Sequence, residues 1–187
     1  MDRRVKYTLK VIEDTFLNLL EEKDISNITV TEICNIADIN RATFYRYYID
    51  IYDLLKKIEG EFIDKIKNSS PIENISDYTV YRFSYEILDI FINNKKLVKI
   101  LFNTNHNIYF LNEVLEVAYK KCVDIWSSRF SDIDDIEVEY AGVFVFNGAL
   151  GIINYWIKND FDNDIEVVAK SIEQFTIRGI NKYLIRI

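Results

Sequence analysis

The chain has 187 residues, 49% of them hydrophobic, with one Pro, five Gly and 28% charged residues; that is enough apolar material for a buried core, excludes a disordered tail and points to an all-α protein. A formal charge of −7 excludes a chain that coats nucleic acid indiscriminately, so any DNA contact has to come from a local basic patch. Two cysteines, Cys34 and Cys122, are too few for a disulfide framework or zinc site, and His106 alone cannot build a His-based triad, so no catalytic group, cofactor or metal is expected.

Met-Asp-Arg-Arg-Val-Lys runs into a pattern carrying Glu13 and Asp14, with no signal-peptide apolar core, which predicts a cytoplasmic location. Leu9, Ile12, Phe16, Leu19 and Leu20 keep three-and-four spacing and predict a first helix from Arg3 to Glu22, its start carrying a basic group of Arg3, Arg4, Lys6 and Lys10. Thr29-Val30-Thr31-Glu32 reads as a capping box, with Ile28 and Ile33 as its hydrophobic staple. Asn40 is expected to cap a helix over Arg41 to Tyr48, after a turn at Asp38-Ile39, with Ile39 and Phe44 as staple. Asp50 starts a further helix to about Lys67, stapled by Ile49 and Leu54, with Leu54, Leu55, Ile58, Phe62 and Ile66 along its apolar face.

Asn68-Ser69-Ser70-Pro71 is a cluster of turn residues, and the boundary between domains 1–67 and 72–187 is placed there. Beyond it the pattern predicts helices at about Asp77 to Asn93, Lys95 to Asn103, Ile108 to Phe130, Asp134 to Lys158 and Asp164 to Leu184, the last behind an Asn163/Glu166 capping box. Tyr140 to Ile157 carries no charge over 18 residues, near the lower limit for a bilayer span. Its two asparagines and three glycines favour instead a helix buried on all sides within protein, with no membrane involved. Gly142, Gly148 and Gly151 would each cost that helix about 1 kcal/mol relative to Ala, so close approach of another helix is expected to compensate, along the small apolar face Ala141, Val145, Gly148, Ile152 and Tyr155.

The helices starting at Thr29 and Asn40 are joined by about three residues, the spacing of a helix-turn-helix. Ile33, Ile36, Ala37, Ile39, Phe44 and Tyr48 are the expected core contacts, leaving Arg41, Ala42, Tyr45 and Arg46 outward. That face suits base reading: Arg takes guanine bidentately, a small Ala accepts a thymine methyl, and Ile39 to Tyr48 contains two Arg and no acid. The blander reading, an aromatic-rich helix that merely packs, does not account for the paired caps and the short turn.

The segment ITVTEICNIADINRATFYRYYIDIYDLL resembles the DNA-binding signature of the TetR family, Tyr45 and Tyr48 occupying the positions of its aromatic pair, and the resemblance covers about Lys6 to Lys67. GALGIINYWIKND, from Gly148 to Asp160, is similar to the C-terminal ligand and dimerisation domain of regulators related to those of dihydroxyacetone-kinase operons in low-GC Gram-positive bacteria. The resemblance implies an N-terminal three-helix DNA-binding domain and a C-terminal helical effector-binding and dimerisation bundle. It places Thr29 and Thr31 near phosphate or base, and Arg41, Ala42, Thr43, Tyr45 and Tyr47 in recognition positions with Arg46 beside them. It further implies a homodimer built on the last two helices, where Ile172 and Phe175 join the face named above, and a small-molecule effector cavity among Tyr81, Tyr85, Phe102, Tyr119 and Trp126. The function implied is a repressor that binds a palindromic operator in double-stranded DNA and is released by its effector. Two residues depart from the family pattern: Asp38 stands for the turn glycine, and Ile51 for a lysine that reaches the DNA backbone. The acidic charge and Ile51 support an alternative, a helical protein–protein interaction module or a regulator controlled by a partner instead of an effector.

Overall fold

The computed structural model describes residues 2–69, 80–103 and 135–184, together with positions 110, 113, 114, 116, 117, 119 and 120. Among these residues the regular structure is helical: α1 Arg3–Glu22, a short 3-10 turn Ile25–Asn27, α2 Val30–Ile36, α3 Arg41–Tyr47, α4 Ile51–Lys67, α5 Val80–Asn93, α6 Lys95–Asn103, α7 Asp135–Lys158 and α8 Ile165–Leu184. Pro71, the expected helix start at Asp77, His106, Cys122 and Trp126 lie outside the described residues, as does most of the helix expected over Ile108 to Phe130. The chain divides into compact units at 1–62 and 63–187, so the division falls inside the continuous α4, ahead of the turn residues at 68–71.

In the first unit, Asp2 starts α1 by accepting the Arg4 N–H at 3.1 Å. Ile12, Phe16 and Leu19 of α1 are buried with Ile28, Ile33, Phe44, Tyr48, Leu54 and Ile58, each large apolar side chain contributing about 1.5–3 kcal/mol on burial. Thr29 caps α2 as expected, accepting the Glu32 N–H at 3.2 Å, with Ile28 and Ile33 both buried beside it. The reciprocal half of that capping box does not form, because Lys23 holds the Glu32 carboxylate at 2.6 and 2.7 Å.

Two expected apolar contacts also fail. Ile36 is 59% exposed. The buried face of α2 centres between Ile33 and Cys34, and at 3.6 residues per turn Ile36 lies about 110° round the helix from it, whereas Ala37 comes back towards the core. Ile49 is 78% exposed, so it staples nothing: Tyr48 is extended (φ −133°) and turns inward, which sends its successor outward.

In the second unit α5 packs chiefly on α8, and α7 lies against α8 and α6. Ile87, Leu88, Phe91, Val98, Leu101, Trp156, Ile157, Val168, Ala169 and Ile172 form its core. The stretch from Glu139 to Lys158 of α7 is long and apolar enough to cross a membrane. It is not buried on all sides within its own chain: between those limits only Gly142, Trp156 and Ile157 are buried, while Tyr140, Phe144 and Tyr155 are 65–71% exposed. At two of its three glycines the expected close approach is not made within the chain, since a Cβ on Gly148 or Gly151 would meet nothing within 4 Å.

The corner between α7 and α8 is tightly specified. Asp160 and Phe161 both take left-handed φ, 60° and 59°, conformations that side chains other than Gly adopt at a cost, and the Phe161 N–H returns to Trp156 O at 2.8 Å. Lys95 Nζ and Lys99 Nζ both reach the Asp160 carboxylate, and Lys95 also takes the Asp160 carbonyl at 3.0 Å. The buried Trp156 donates its Nε1–H to Asn163 O at 2.8 Å and meets the Phe161 ring edge-on at 4.8 Å. α8 then begins on the Asp164 carbonyl, which accepts from Val167 and Val168, while the Asn163 amide donates to Asp162. The expected capping box at Asn163 is therefore displaced by one residue: the Asn163 carbonyl takes the indole N–H, and the first helical bonds are made to the Asp164 carbonyl.

Candidate nucleic-acid interface

α2 ends on Ala37, Asp38 takes the left-handed conformation at φ 51°, and the Ile39 N–H returns to Cys34 O at 3.0 Å. This is the glycine-type helix ending made with an aspartate, which tolerates that region better than most side chains. Asn40 then caps α3 by accepting the Ala42 N–H at 2.8 Å. Three residues thus stop one helix and aim the next.

α3 has a buried side and a wet side. Phe44 is fully buried and packs against Tyr48 with ring centroids 5.4 Å apart. Arg41, Ala42, Tyr45 and Arg46 are exposed, and Thr43 and Tyr47 are half-buried. Arg41 donates to the Tyr45 hydroxyl at 3.3 Å and lies 5.8 Å from that ring's centroid, so the two side chains share one patch. The hydrogen bond to Tyr45 raises the Arg41 pKa above its already high ordinary value, and the guanidinium stays charged at any working pH.

Arg3, Arg4, Lys6 and Lys10 are exposed on the first turns of α1, and Thr29 and Thr31 are exposed at the start of α2. Ile51 is 9% exposed and belongs to the core, so the position at which a lysine was expected by resemblance offers no donor. Cys34 is buried behind α3; burial pushes its thiol up, with Arg41 pulling weakly the other way, and it behaves as a small apolar residue.

Sequence reasoning missed what holds the far end of α3. Lys57 of α4 donates to Tyr47 O at 2.6 Å, pairs with Asp53 Oδ2 at 2.9 Å and lies 5.1 Å from the Tyr48 ring centroid. The same Asp53 oxygen accepts the Ile49 N–H at 2.9 Å. That backbone donor, then Lys57, holds the Asp53 carboxyl below the ordinary carboxylate range. On the other side the Tyr48 hydroxyl donates to Glu13 Oε1 at 3.1 Å; burial, then the Glu13 charge, pushes the phenol up. The Asp53–Lys57 pair has helical i, i+4 spacing and was legible in the sequence, but its reach to the Tyr47 carbonyl was not.

Of the aromatics expected around an effector, only Trp126 lies outside the described residues. Tyr81 faces Tyr85 at 6.0 Å, Phe102 packs on Phe91 at 5.7 Å, and Tyr119 packs on Phe146 at 5.9 Å. A groove of about 310 Å³ is lined by Lys65, Ser69, Tyr85, Glu86, Asp89 and Ile90, sharing only Tyr85 with the expected set. Of the residues expected at a dimer interface, Tyr155 and Phe175 are 65% and 67% exposed and Gly148 is open, Ala141, Val145 and Ile152 are half-buried, and Ile172 is 4% exposed within its own chain's core.

A capped supporting helix, an αL turn and a capped basic-aromatic helix constitute a helix-turn-helix. Residues 78–178 match the family model of the TetR-type transcriptional regulator C-terminal region. An uncharacterized HTH-type transcriptional regulator, YxbF of Bacillus subtilis (strain 168), is 28% identical over 198 aligned residues, covering 98% of this chain and 47% of that protein. The chain thus spans about half the length of the curated relative it matches. Among solved structures, the dihydroxyacetone kinase operon activator DhaS superposes with a TM-score of 0.72 at 19% identity, covering 95% of this chain and 98% of DhaS. SmeT, in its complex with triclosan, superposes with a TM-score of 0.65 at 14% identity, covering 92% and 91%. The chain belongs to the TetR family of transcriptional regulators.

Proposed function

We propose that this protein is a cytoplasmic, DNA-binding transcriptional repressor that reads a palindromic operator as a homodimer and is released by a small-molecule effector. The observation that carries the DNA reading is the wet face of α3: Arg41, Ala42, Tyr45 and Arg46 stand exposed on a helix without an acid, held by caps at its start and by Lys57 at its end. Arg41 and Arg46 supply guanine-reading donors, Ala42 a methyl-sized contact, and Thr43, Tyr45 and Tyr47 hydroxyls for base edge or phosphate. Arg3, Arg4 and Lys6 of α1, with Thr29 and Thr31 of α2, take the backbone. Acids outnumber bases even within residues 1–62, so binding rests on this local patch and not on net charge.

Dimerisation is supported by the apolar residues that α7 and α8 leave uncovered, Tyr140, Phe144, Tyr155 and Phe175, and by the open sides of Gly148 and Gly151, where a second helix can approach closely. Ala141, Val145 and Ile152 complete that face. Two copies would hold two recognition helices about one DNA turn apart, which is what a palindrome requires. An effector is supported by the likeness to SmeT, whose structure holds triclosan, with Tyr81, Tyr85, Phe102, Tyr119 and Trp126 as candidate lining. The name of DhaS, an operon activator, favours a second reading in which binding activates transcription.

A gel-shift titration against the promoter beside its own gene, across a salt series, tests the assignment. A DNA reader gives a specific complex whose affinity falls with salt. A helical interaction module gives none, and that result would remove the regulator reading.

A further inference from the structure

We propose that Lys57 is a positioning residue for sequence recognition: it fixes the bearing of α3 by clamping that helix's C-terminal carbonyl to α4. The inference rests on the reading of α3 as the DNA-reading helix.

α3 has seven residues, too few to hold a helical geometry by itself. Its start is fixed by the Asn40 cap, its middle by the buried Phe44 and the residue after it by the buried Tyr48, whose side chain meets Glu13, so what remains to be fixed is the carbonyl end of its last turn. Helix ends expose carbonyls that carry partial negative charge, and a cation there is both a hydrogen-bond donor and an electrostatic match. Lys57 Nζ meets the Tyr47 carbonyl at 2.6 Å. The ammonium is itself held, since Asp53 Oδ2 pairs with it at 2.9 Å and accepts the Ile49 N–H with the same oxygen. One ammonium and one carboxylate oxygen therefore lock the last residue of α3 and the link after it onto the first two turns of α4. The Tyr48 ring under the ammonium closes the clamp from below. Exposed base readers sit one and two positions away from the clamped residue, at Arg46 and Tyr45, so a small swing of the last turn moves their donors by the margin that separates a good bidentate contact from a poor one.

The rival roles for a half-exposed lysine here are a phosphate contact and a plain surface ion pair. They differ in what they change. A phosphate contact weakens all DNA alike and flattens the salt dependence, whereas a positioning residue weakens specific binding selectively.

The experiment uses the full chain with Lys57→Met and Lys57→Arg. Fluorescence anisotropy gives affinities for the promoter duplex and for a scrambled duplex across a salt series, and hydrogen exchange is followed in the DNA-free protein. We expect Lys57→Met to lose about tenfold in the ratio of specific to scrambled affinity, with an unchanged salt slope, and Lys57→Arg to recover most of it. Amides of Tyr47, Tyr48 and Ile49 should exchange faster in Lys57→Met while those of α1 do not change. Equal weakening on both duplexes with a shallower slope would overturn the proposal in favour of a phosphate contact, and unchanged ratio and exchange would overturn it in favour of a surface ion pair. A wild-type chain that binds both duplexes alike would sink the DNA reading, and the recognition role with it; accelerated exchange in Lys57→Met would still locate the failure in the ligand and not in the clamp.

Discussion

The Tyr48 hydroxyl and the Glu13 carboxylate meet at 3.1 Å, joining the residue that follows α3 to the middle of α1. Tyr48 is 4% exposed, so this bond is made at the edge of the first unit's core. Replacing Tyr48 by Phe keeps the ring packed on Phe44 and deletes only the bond. We expect a loss of about 1 kcal/mol, visible as a melting temperature lower by about 2 to 4 °C in calorimetry.

Arg41→Ala tests the wet face of α3 directly. Loss of one bidentate base contact should cost about 1–3 kcal/mol, or roughly 5- to 150-fold in operator affinity, and relax the sequence preference at one position. Arg4→Ala should instead weaken all duplexes and reduce the salt slope by about one. An Arg41→Ala chain with unchanged operator affinity would show that α3 does not read bases.

Phe175 is 67% exposed on α8 and is proposed to be covered by a second copy. Phe175→Glu places a carboxylate in that interface and should raise the dimer dissociation constant by roughly thirtyfold or more, about 2 kcal/mol, in sedimentation equilibrium. Helical content by circular dichroism should hold. A wild-type chain that sediments as a monomer at micromolar concentration would defeat the dimer.

Trp156 is 2% exposed and gives its indole N–H to Asn163 O. Trp156→Phe removes that donor and part of the ring that meets Phe161, leaving the α7–α8 corner with an unpaired carbonyl. The expected cost is about 1–3 kcal/mol, read in denaturant unfolding of the full chain.

Asp53 and Asp160 are both held below the ordinary aspartate value of 3.8, the first mainly by the Ile49 N–H and the second mainly by Lys99 and then Lys95. A depressed folded-state pKa contributes stability that is present above the unfolded value and is lost as pH falls through the folded one. Melting temperatures should therefore fall as the solution is acidified below about pH 4, and Asp53→Asn should remove part of that acid dependence while leaving the limb above about pH 5 flat. An acid limb of unchanged size in Asp53→Asn would show that the pair contributes nothing.

The helices and their starts were legible in the residues because they depend on neighbours in sequence. Periodic apolar spacing placed α1 and α4, and Thr29, Asn40 and Asp50 act as caps within two or three residues of themselves. Asp38 adopts the left-handed turn for the same local reason. The outward set Arg41, Ala42, Tyr45 and Arg46 followed from helical geometry once Phe44 was assigned to the core. Tertiary structure decided everything that depends on who else is near. Glu32 was taken by Lys23 instead of returning to Thr29, Ile36 and Ile49 were left in water, the Asn163 carbonyl went to an indole, and the uncharged face of α7 stayed open. The clamp of Lys57 on Tyr47 O belongs to the same class, joining a side chain to a backbone oxygen ten residues away. Local hydrogen bonds close at short chain separation with little entropy to lose, so sequence specifies them; competition among partners brought together by folding is settled only by the packed geometry.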